Sequence, residues 1–151
     1  MILNIILGFI IPWIFGVFLY LKDKKTLLVI APFMSVWAYT LNEALFHLNF
    51  NRFAPLEIKD DLTTMSINLG LYPILGCYLI HYIEIKKVSP YILIMIFTFM
   101  TTVAEYLALT FGIVTYDNGW NIVWTFLSYI PPYLSGYWYY TKLKNIGVFD
   151  K

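Results

Sequence analysis

Five apolar runs, separated by short polar turns, constrain the fold of this chain more than any other feature. An α-helix needs about 20 apolar residues to cross the hydrocarbon core of a bilayer, and each run has about this length. The runs occupy residues 2–21, 26–48, 62–83, 91–111 and 122–141. The sequence therefore predicts an all-α bundle of five transmembrane helices, forming a single transmembrane domain over residues 1–151.

Composition favours lipid as the main solvent of this chain. The 151 residues are 60% hydrophobic and only 13% charged, whereas soluble domains carry about 25% charged residues. So few charges are not enough to cover a water-facing surface, which predicts a multi-pass protein of the plasma membrane with the lipid bilayer as a partner. The charges form no basic, aromatic-interleaved patch, so nucleic acid is not a predicted partner. The single cysteine, Cys77, excludes an intrachain disulfide and cysteine-based metal centres, and no cofactor is predicted.

The basic residues predict the orientation of the helices. Eight of the ten lysines and arginines lie in loops 22–25 and 84–90 or near the C-terminus. Arg52 and Lys59 lie in loop 49–61, and loop 112–121 has none. Because cytoplasmic loops carry the excess of positive charge, the N-terminus is predicted to lie outside and the C-terminus in the cytoplasm.

Two carboxylates interrupt the apolar runs. Glu105 ends a stripe with Thr98, Thr101 and Thr102 at spacings of three and four, so these residues share one helix face that should point toward protein. Glu43 stands four residues after Tyr39 and four before His47, which again places the three on one face. An ionisable group within the membrane is costly unless it has a partner, and such groups are functional candidates by default.

With the predicted orientation, polar residues of all five helices lie at a similar depth toward the outside. The sequence therefore predicts an outward-facing polar pocket that binds a ligand, with these binding residues: Tyr39, Glu43, His47, Asn68, Glu105 and Asp117. A purely structural interpretation stays open, in which the two carboxylates are hydrogen-bonded separately and hold helices together. His81 is interpreted as an anchor at the cytoplasmic interface.

Three classes of function fit these residues, and the first is favoured. It is a non-enzymatic protein that binds a small or lipid-like ligand, or a partner membrane protein, through the pocket. The second is a proton- or cation-coupled transporter or channel subunit that uses Glu43 and Glu105. A chain this short would have to form a homo-oligomer to build a transport path. The third is an intramembrane enzyme with a metal centre of Glu43, His47 and Glu105. The chain has no G-x-S-x-G nucleophile motif, and no catalytic residue is predicted.

Prolines and small residues predict local distortions. The pair Pro131-Pro132 removes two backbone donors within the last run and is expected to bend or break that helix. Asn4, Gly8, Pro12 and Gly16 recur every four residues on the first run. This stripe favours close approach of a neighbouring helix.

One segment resembles a known family. It reads Glu105-Tyr106-Leu107-Ala108, then Gly112, Tyr116, Asn118-Gly119-Trp120 and Trp124. This pattern resembles a family of small multi-helix integral membrane proteins of spore-forming Firmicutes. The resemblance implies a helical protein of a bacterial plasma membrane and implies no activity. The tryptophan-rich sensory proteins also have five spans, but their Trp-Asn-Pro-Pro stretch after the first helix is replaced here by Lys22-Asp23-Lys24-Lys25.

Overall fold

The computed structural model describes residues 2–53, 60–86 and 88–149. Over these residues the chain is mostly helical, with two short strands and the turns that connect these elements. The helices are α1 (Ile2–Ile5), α2 (Ile11–Lys22), α3 (Lys24–His47), α4 (Asp60–Leu69), α5 (Leu71–Ile85), α6 (Pro90–Thr110) and α7 (Ile122–Asn145), and the strands are β1 (Asn51–Phe53) and β2 (Val114–Tyr116).

These helices form the five helical segments that the sequence predicts. A π-helical turn, Ile6–Ile10, joins α1 to α2, and the three are here called the first rod. Helices α4 and α5 follow each other across Gly70 and are called the third rod. The all-helical fold class is thereby confirmed for the described part of the chain.

Among the residues that the structure describes, three helices are long and apolar enough to cross a membrane: α3, the stretch Thr64–Ile85 of the third rod, and α6. At about 1.5 Å per residue, the 24 residues of α3 extend over about 36 Å, against about 30 Å of hydrocarbon. The apolar part of the first rod, Ile6–Lys22, is shorter. Helix α7 is long enough but less apolar, because it contains five tyrosines and two prolines.

The core lies between α3, α5, α6 and α7. Helix α3 packs mainly against α5, and α6 packs mainly against α7. The buried side chains at these contacts include Ile30, Met34, Ile80, Ile94 and Tyr133. The opposite face of α6 is exposed and apolar, with Ile92, Met95, Ile96, Phe99 and Met100 on the surface. Such a surface suits contact with lipid.

A close contact fixes the first rod on the third rod. A Cβ atom on Gly70 would lie 2.1 Å from the carbonyl oxygen of Gly8, so only glycine permits this approach. Pro73 has no N–H to bond to the carbonyl of Leu69, four residues earlier. Trp13 of the first rod supplies that donor, with Nε1 at 3.0 Å from the Leu69 oxygen. The small-residue stripe predicted on the first run thus does permit close helix packing.

Contacts between helix ends show that successive rods alternate in direction. At one end, Asp23 before α3 meets His81 near the end of α5, and Phe33 stacks on Tyr139 of α7 with ring centroids 4.2 Å apart. At the other end, β1 and β2 form an antiparallel ribbon with Asn51 opposite Tyr116. The end with Asp23 also carries Lys22, Lys24, Lys25, Lys86, Lys142 and Lys144, and is here called the basic end.

Two local features differ from expectation. The double proline does not break the last helix, because α7 runs without interruption from Ile122 to Asn145. Neighbouring helices can hold a proline-containing membrane helix together, and Pro132 is buried against them. The ribbon itself was not predicted, since strands of three residues carry little pattern. Lys59, Lys87 and Lys151, three of the ten basic residues on which the predicted orientation rests, lie outside the described residues.

Candidate functional site

Glu105 lies on the buried face of α6, five residues before the helix ends. Its exposed fraction is 8%, and Thr98, Thr101 and Thr102 on the same face are also buried. The prediction that this hydroxyl stripe faces protein is therefore confirmed. The Thr101 hydroxyl lies 2.6 Å from the Tyr133 hydroxyl, which ties the stripe to α7.

Three hydroxyl groups surround the Glu105 carboxylate. Tyr116 of β2 donates to Oε1 at 2.7 Å, and the Thr125 hydroxyl of α7 lies 3.3 Å from the same oxygen. Tyr129 of α7 donates a close hydrogen bond to Oε2. Burial and the nearby Glu105 carboxylate raise the pKa of the Tyr116 phenol, which therefore keeps its proton and stays a donor.

The hydrogen bonds continue beyond this first group. Trp120 donates its indole N–H to the Thr125 hydroxyl at 2.9 Å, and that hydroxyl lies 2.8 Å from the Tyr116 oxygen. On the other side, the Tyr129 and Tyr72 hydroxyls are 3.0 Å apart. One network thus joins α6, β2, α7 and the third rod at a single carboxylate.

The turn before α7 positions these donors. Asn118 and Gly119 have φ values of 48° and 77°, a left-handed conformation that asparagine and glycine tolerate. Asn121 then caps α7, and its side-chain oxygen accepts from Val123 N at 3.0 Å. The ribbon with β1 fixes Tyr116 from the other side. The local backbone geometry of this segment therefore places Tyr116 at Glu105 and Trp120 at Thr125.

A cavity of about 300 Å³ adjoins Glu105. It separates the first rod from α6, since in the described part of the chain no Cα atom of one comes within 8 Å of a Cα atom of the other. Tyr72 and Tyr129 line it beside Glu105, and the remaining lining is mostly apolar. Its rim is exposed and apolar, with Leu7, Leu107 and Phe111 at 46%, 51% and 76% exposure. This cavity is here called the cleft.

The other predicted carboxylate lies elsewhere. Glu43 is half-exposed and pairs with His47, with 3.6 Å between the Glu43 Oε2 and His47 Nε2 atoms. The His47 side chain is 84% exposed. Neither residue lines the cleft. The structure therefore places Glu43 and His47 on an accessible face of α3, apart from the Glu105 network.

The remaining predicted residues are also dispersed. Asn68 is buried and accepts a close hydrogen bond from Asn42 of α3, while Tyr39 is half-buried. Asp117 is exposed, and its side chain accepts from Asn118 N at 2.8 Å within the turn. None of the three lines the cleft. Their role in ligand binding stays a prediction.

No metal-type cluster is formed by the residues that the structure describes. No three histidine, cysteine, aspartate or glutamate side chains are gathered closely enough to hold an ion. Glu43 and His47 meet, but Glu105 does not join them. The geometry therefore does not support the metal centre considered from the sequence.

A second polar contact lies at the basic end. Asp23 accepts from Thr26 N at 3.1 Å and so caps α3, and its other oxygen lies 2.9 Å from His81 Nδ1. Burial opposes the charged form of Asp23, but hydrogen bonds with His81 and Thr26 outweigh it and lower the pKa of Asp23. His81 is thus a partner of a capping residue rather than only an interfacial anchor.

The site predicted from the sequence omitted four residues of the hydrogen-bond network around Glu105: Tyr72, Tyr116, Thr125 and Tyr129. Thr125 and Tyr129 are four residues apart on α7, a spacing that places both on one face. This spacing could have indicated them. Tyr72 could not be found in this way, because it meets Tyr129 across 57 positions of sequence.

Comparison with known proteins finds no similar chain. No family model, no curated protein sequence and no solved structure matches this chain.

Proposed function

We propose that this chain is a five-span protein of the bacterial plasma membrane that binds a lipid-like molecule in the cleft beside Glu105. In this proposal the N-terminus lies outside, and the basic end faces the cytoplasm. The alternating rods and the concentration of lysines at the basic end support this orientation. The resemblance to the small membrane proteins of Firmicutes supports the cellular location and contributes nothing to the ligand.

One observation carries the proposal: a cavity with apolar walls has a buried carboxylate at its inner surface. Small-molecule sites are concave, mostly apolar, and contain a few polar groups that orient the ligand. At about 300 Å³ the cleft is at the lower end of the usual range of about 300–1,000 Å³. A bound chain would cover the walls, and the polar end of the ligand would meet Glu105.

The apolar rim indicates how such a ligand would enter. Leu7, Leu107 and Phe111 surround the opening and are exposed. In a bilayer these side chains would face hydrocarbon, so a membrane-dissolved molecule reaches the cleft sideways without crossing water. A water-soluble ligand would have to pass this apolar rim.

A second candidate function is proton movement. The hydroxyls of Tyr129 and Tyr72 extend the hydrogen bonds of Glu105 toward a smaller cavity of about 30 Å³, which Asn42 also lines. Buried carboxylates linked to hydroxyl chains are typical of proton pathways in membranes. In the described part of the chain no further titratable side chain lines this smaller cavity beyond the tyrosines, so lipid-like ligand binding is the better supported function.

A photo-crosslinking experiment tests the lipid-like ligand. The protein is reconstituted in a bilayer with a long-chain alcohol that carries a diazirine at the end of its chain, and labelled peptides are mapped by mass spectrometry. Beyond the background on the exposed faces of the helices, we expect labelling at Ile67 and Leu71, which line the cleft and are half-buried. The variant Ala108→Trp fills the cleft and should lose that labelling.

The matched control is Ala44→Trp, which adds the same side chain at an exposed position of α3. It should label like the wild type. Equal labelling of Ile67 and Leu71 in the wild type and in Ala108→Trp would contradict ligand binding in the cleft.

Cysteine labelling tests the orientation independently. In a Cys77→Ala background, Asn118→Cys should react with a membrane-impermeant maleimide on intact cells. Lys86→Cys at the basic end should react only after permeabilisation. The reverse pattern would invert the proposed orientation.

A further inference from the structure

We infer that the ligand of the cleft is a cationic amphiphile, whose ammonium group pairs with Glu105 and whose apolar chain lies between the first rod and α6. This inference rests on the proposed function and names the chemistry of its ligand. Three features of the described residues support it: a spare acceptor position on the Glu105 carboxylate, the lack of a basic partner for that carboxylate, and two tyrosine rings beside it.

The carboxylate has an acceptor position to spare. Its two oxygens offer about four lone-pair sites, and three hydroxyls, those of Tyr116, Thr125 and Tyr129, approach them. These donors come from β2 and α7, and Glu105 itself lines the cleft. A donor in the cleft can therefore reach the carboxylate without displacing a protein hydroxyl.

In the described part of the chain, the Glu105 carboxylate has no positively charged partner. Among the described side chains, no lysine, arginine or histidine forms an ion pair with Glu105. A charge within a membrane protein is normally paired. A ligand with an ammonium group would supply the missing charge together with an N–H donor, whereas an anionic head group would be repelled.

Aromatic rings stand where they can attract the same cation. Tyr72 and Tyr129 both line the cleft, and their ring centroids are 5.8 Å apart. Tyrosine rings attract cations within about 6 Å of the centroid. Glu105 also lies about 8 Å from the end of α6 at about 1.5 Å per residue, so an ammonium group there stays near the membrane surface, and the apolar walls of the cleft can cover its chain.

Binding of three probes tests this inference, with the full chain in dodecyl maltoside and native mass spectrometry as the readout. Decylammonium carries the charge, decanol has the same chain and an O–H donor without charge, and methylammonium has the charge without the chain. We expect the wild type to bind decylammonium at least tenfold more tightly than decanol, with no competition from methylammonium.

Variants assign the preference to Glu105. Glu105→Gln should keep decanol binding and lose the tenfold preference, while Glu84→Gln, an exposed carboxylate on α5, should keep both. Ala104→Lys retains Glu105 and places an ammonium group in the cleft, so it should weaken decylammonium binding at least tenfold. Its control is Val103→Lys, which is exposed and does not line the cleft.

The outcomes separate this inference from the proposed function. Equal binding of decylammonium and decanol, with both lost in Ala108→Trp, would overturn the cationic ligand and leave the cleft as a lipid site. If methylammonium occupied the site as strongly as decylammonium, the apolar chain would contribute nothing to binding. That result would overturn the membrane origin of the ligand. If neither chain-bearing probe binds and Ala108→Trp behaves like the wild type, the proposed function fails, and this inference fails with it.

Discussion

Glu105 and Glu43 look alike in the sequence and differ completely in the folded protein. Both interrupt apolar helices near the end that carries the ribbon. Glu105 is 8% exposed and has three hydroxyl partners from other elements. The side chain of Glu43 is 41% exposed, and its partner His47 lies one turn away on the same helix. The comparison teaches that an acidic residue in an apolar run becomes a site only when neighbouring elements enclose it.

The largest difference is expected when each side chain is removed. Glu105→Ala leaves an enlarged cavity and takes the shared acceptor from Tyr116 and Tyr129, which should lower the free energy of unfolding by about 3 kcal/mol. Glu43→Ala should change it by less than about 0.5 kcal/mol, because an exposed pair contributes little. Unfolding by sodium dodecyl sulfate in mixed micelles measures both. Equal losses would abolish the distinction between the two carboxylates.

A change at the contact between the first and third rods, beside the cleft, should affect the Glu105 region. Gly70→Ala places a methyl group against the backbone of Gly8 and should cost about 1–3 kcal/mol of stability by overpacking. It should also alter photolabelling at Leu71, which lines the cleft. The comparison variant Gly112→Ala meets no atom within 4 Å, so it should lose only about 1 kcal/mol for its left-handed backbone. Unchanged stability of Gly70→Ala would show that the first rod is not held at this contact.

Removing one hydrogen-bonding or ion-pair partner of each carboxylate compares the Glu105 and Glu43 sites directly. Tyr129→Phe deletes a buried hydroxyl that bonds Glu105 and should cost about 1–3 kcal/mol of stability. His47→Gln should have an effect below about 0.5 kcal/mol, since it weakens an exposed pair between residues four apart. Both are compared in the same unfolding assay. A larger effect for His47→Gln would reverse the ranking of the two sites.

Asp23 is an intermediate case, with partners from two helices at the basic end. Because its pKa is lowered from the usual 3.8 in the folded protein, its stabilising contribution is present above the unfolded pKa and is lost as the pH falls through the folded pKa. Asp23→Asn keeps a capping oxygen but removes the negative charge at the start of α3 and its bond with His81, which should cost about 1 kcal/mol at neutral pH. The loss should shrink as the pH falls below the usual pKa, as unfolding across pH would show. A loss that does not depend on pH would assign the effect to packing alone.

The face of Glu105 was predictable, but its partners were not. Thr98, Thr101, Thr102 and Glu105 repeat at helical spacing, and a polar stripe on an otherwise apolar membrane helix has to face protein. That argument needs only one helix. The same argument placed Glu43 beside Tyr39 and His47, yet Asn42 is the residue that α3 buries at this level. Adjacent residues on a helix point in different directions, and only the neighbouring rods decide which direction is enclosed.

The sequence by itself determined the features that arise within one segment: five helical segments, a concentration of lysines at one end, and a tight turn at Asn118-Gly119. Each follows from local hydropathy, charge or backbone preference. Only the tertiary structure decided that Tyr72 meets Tyr129, that β1 pairs with β2, and that a cleft separates the first rod from α6. These features join residues far apart in the chain, and they depend on how the helices pack, which no single segment encodes.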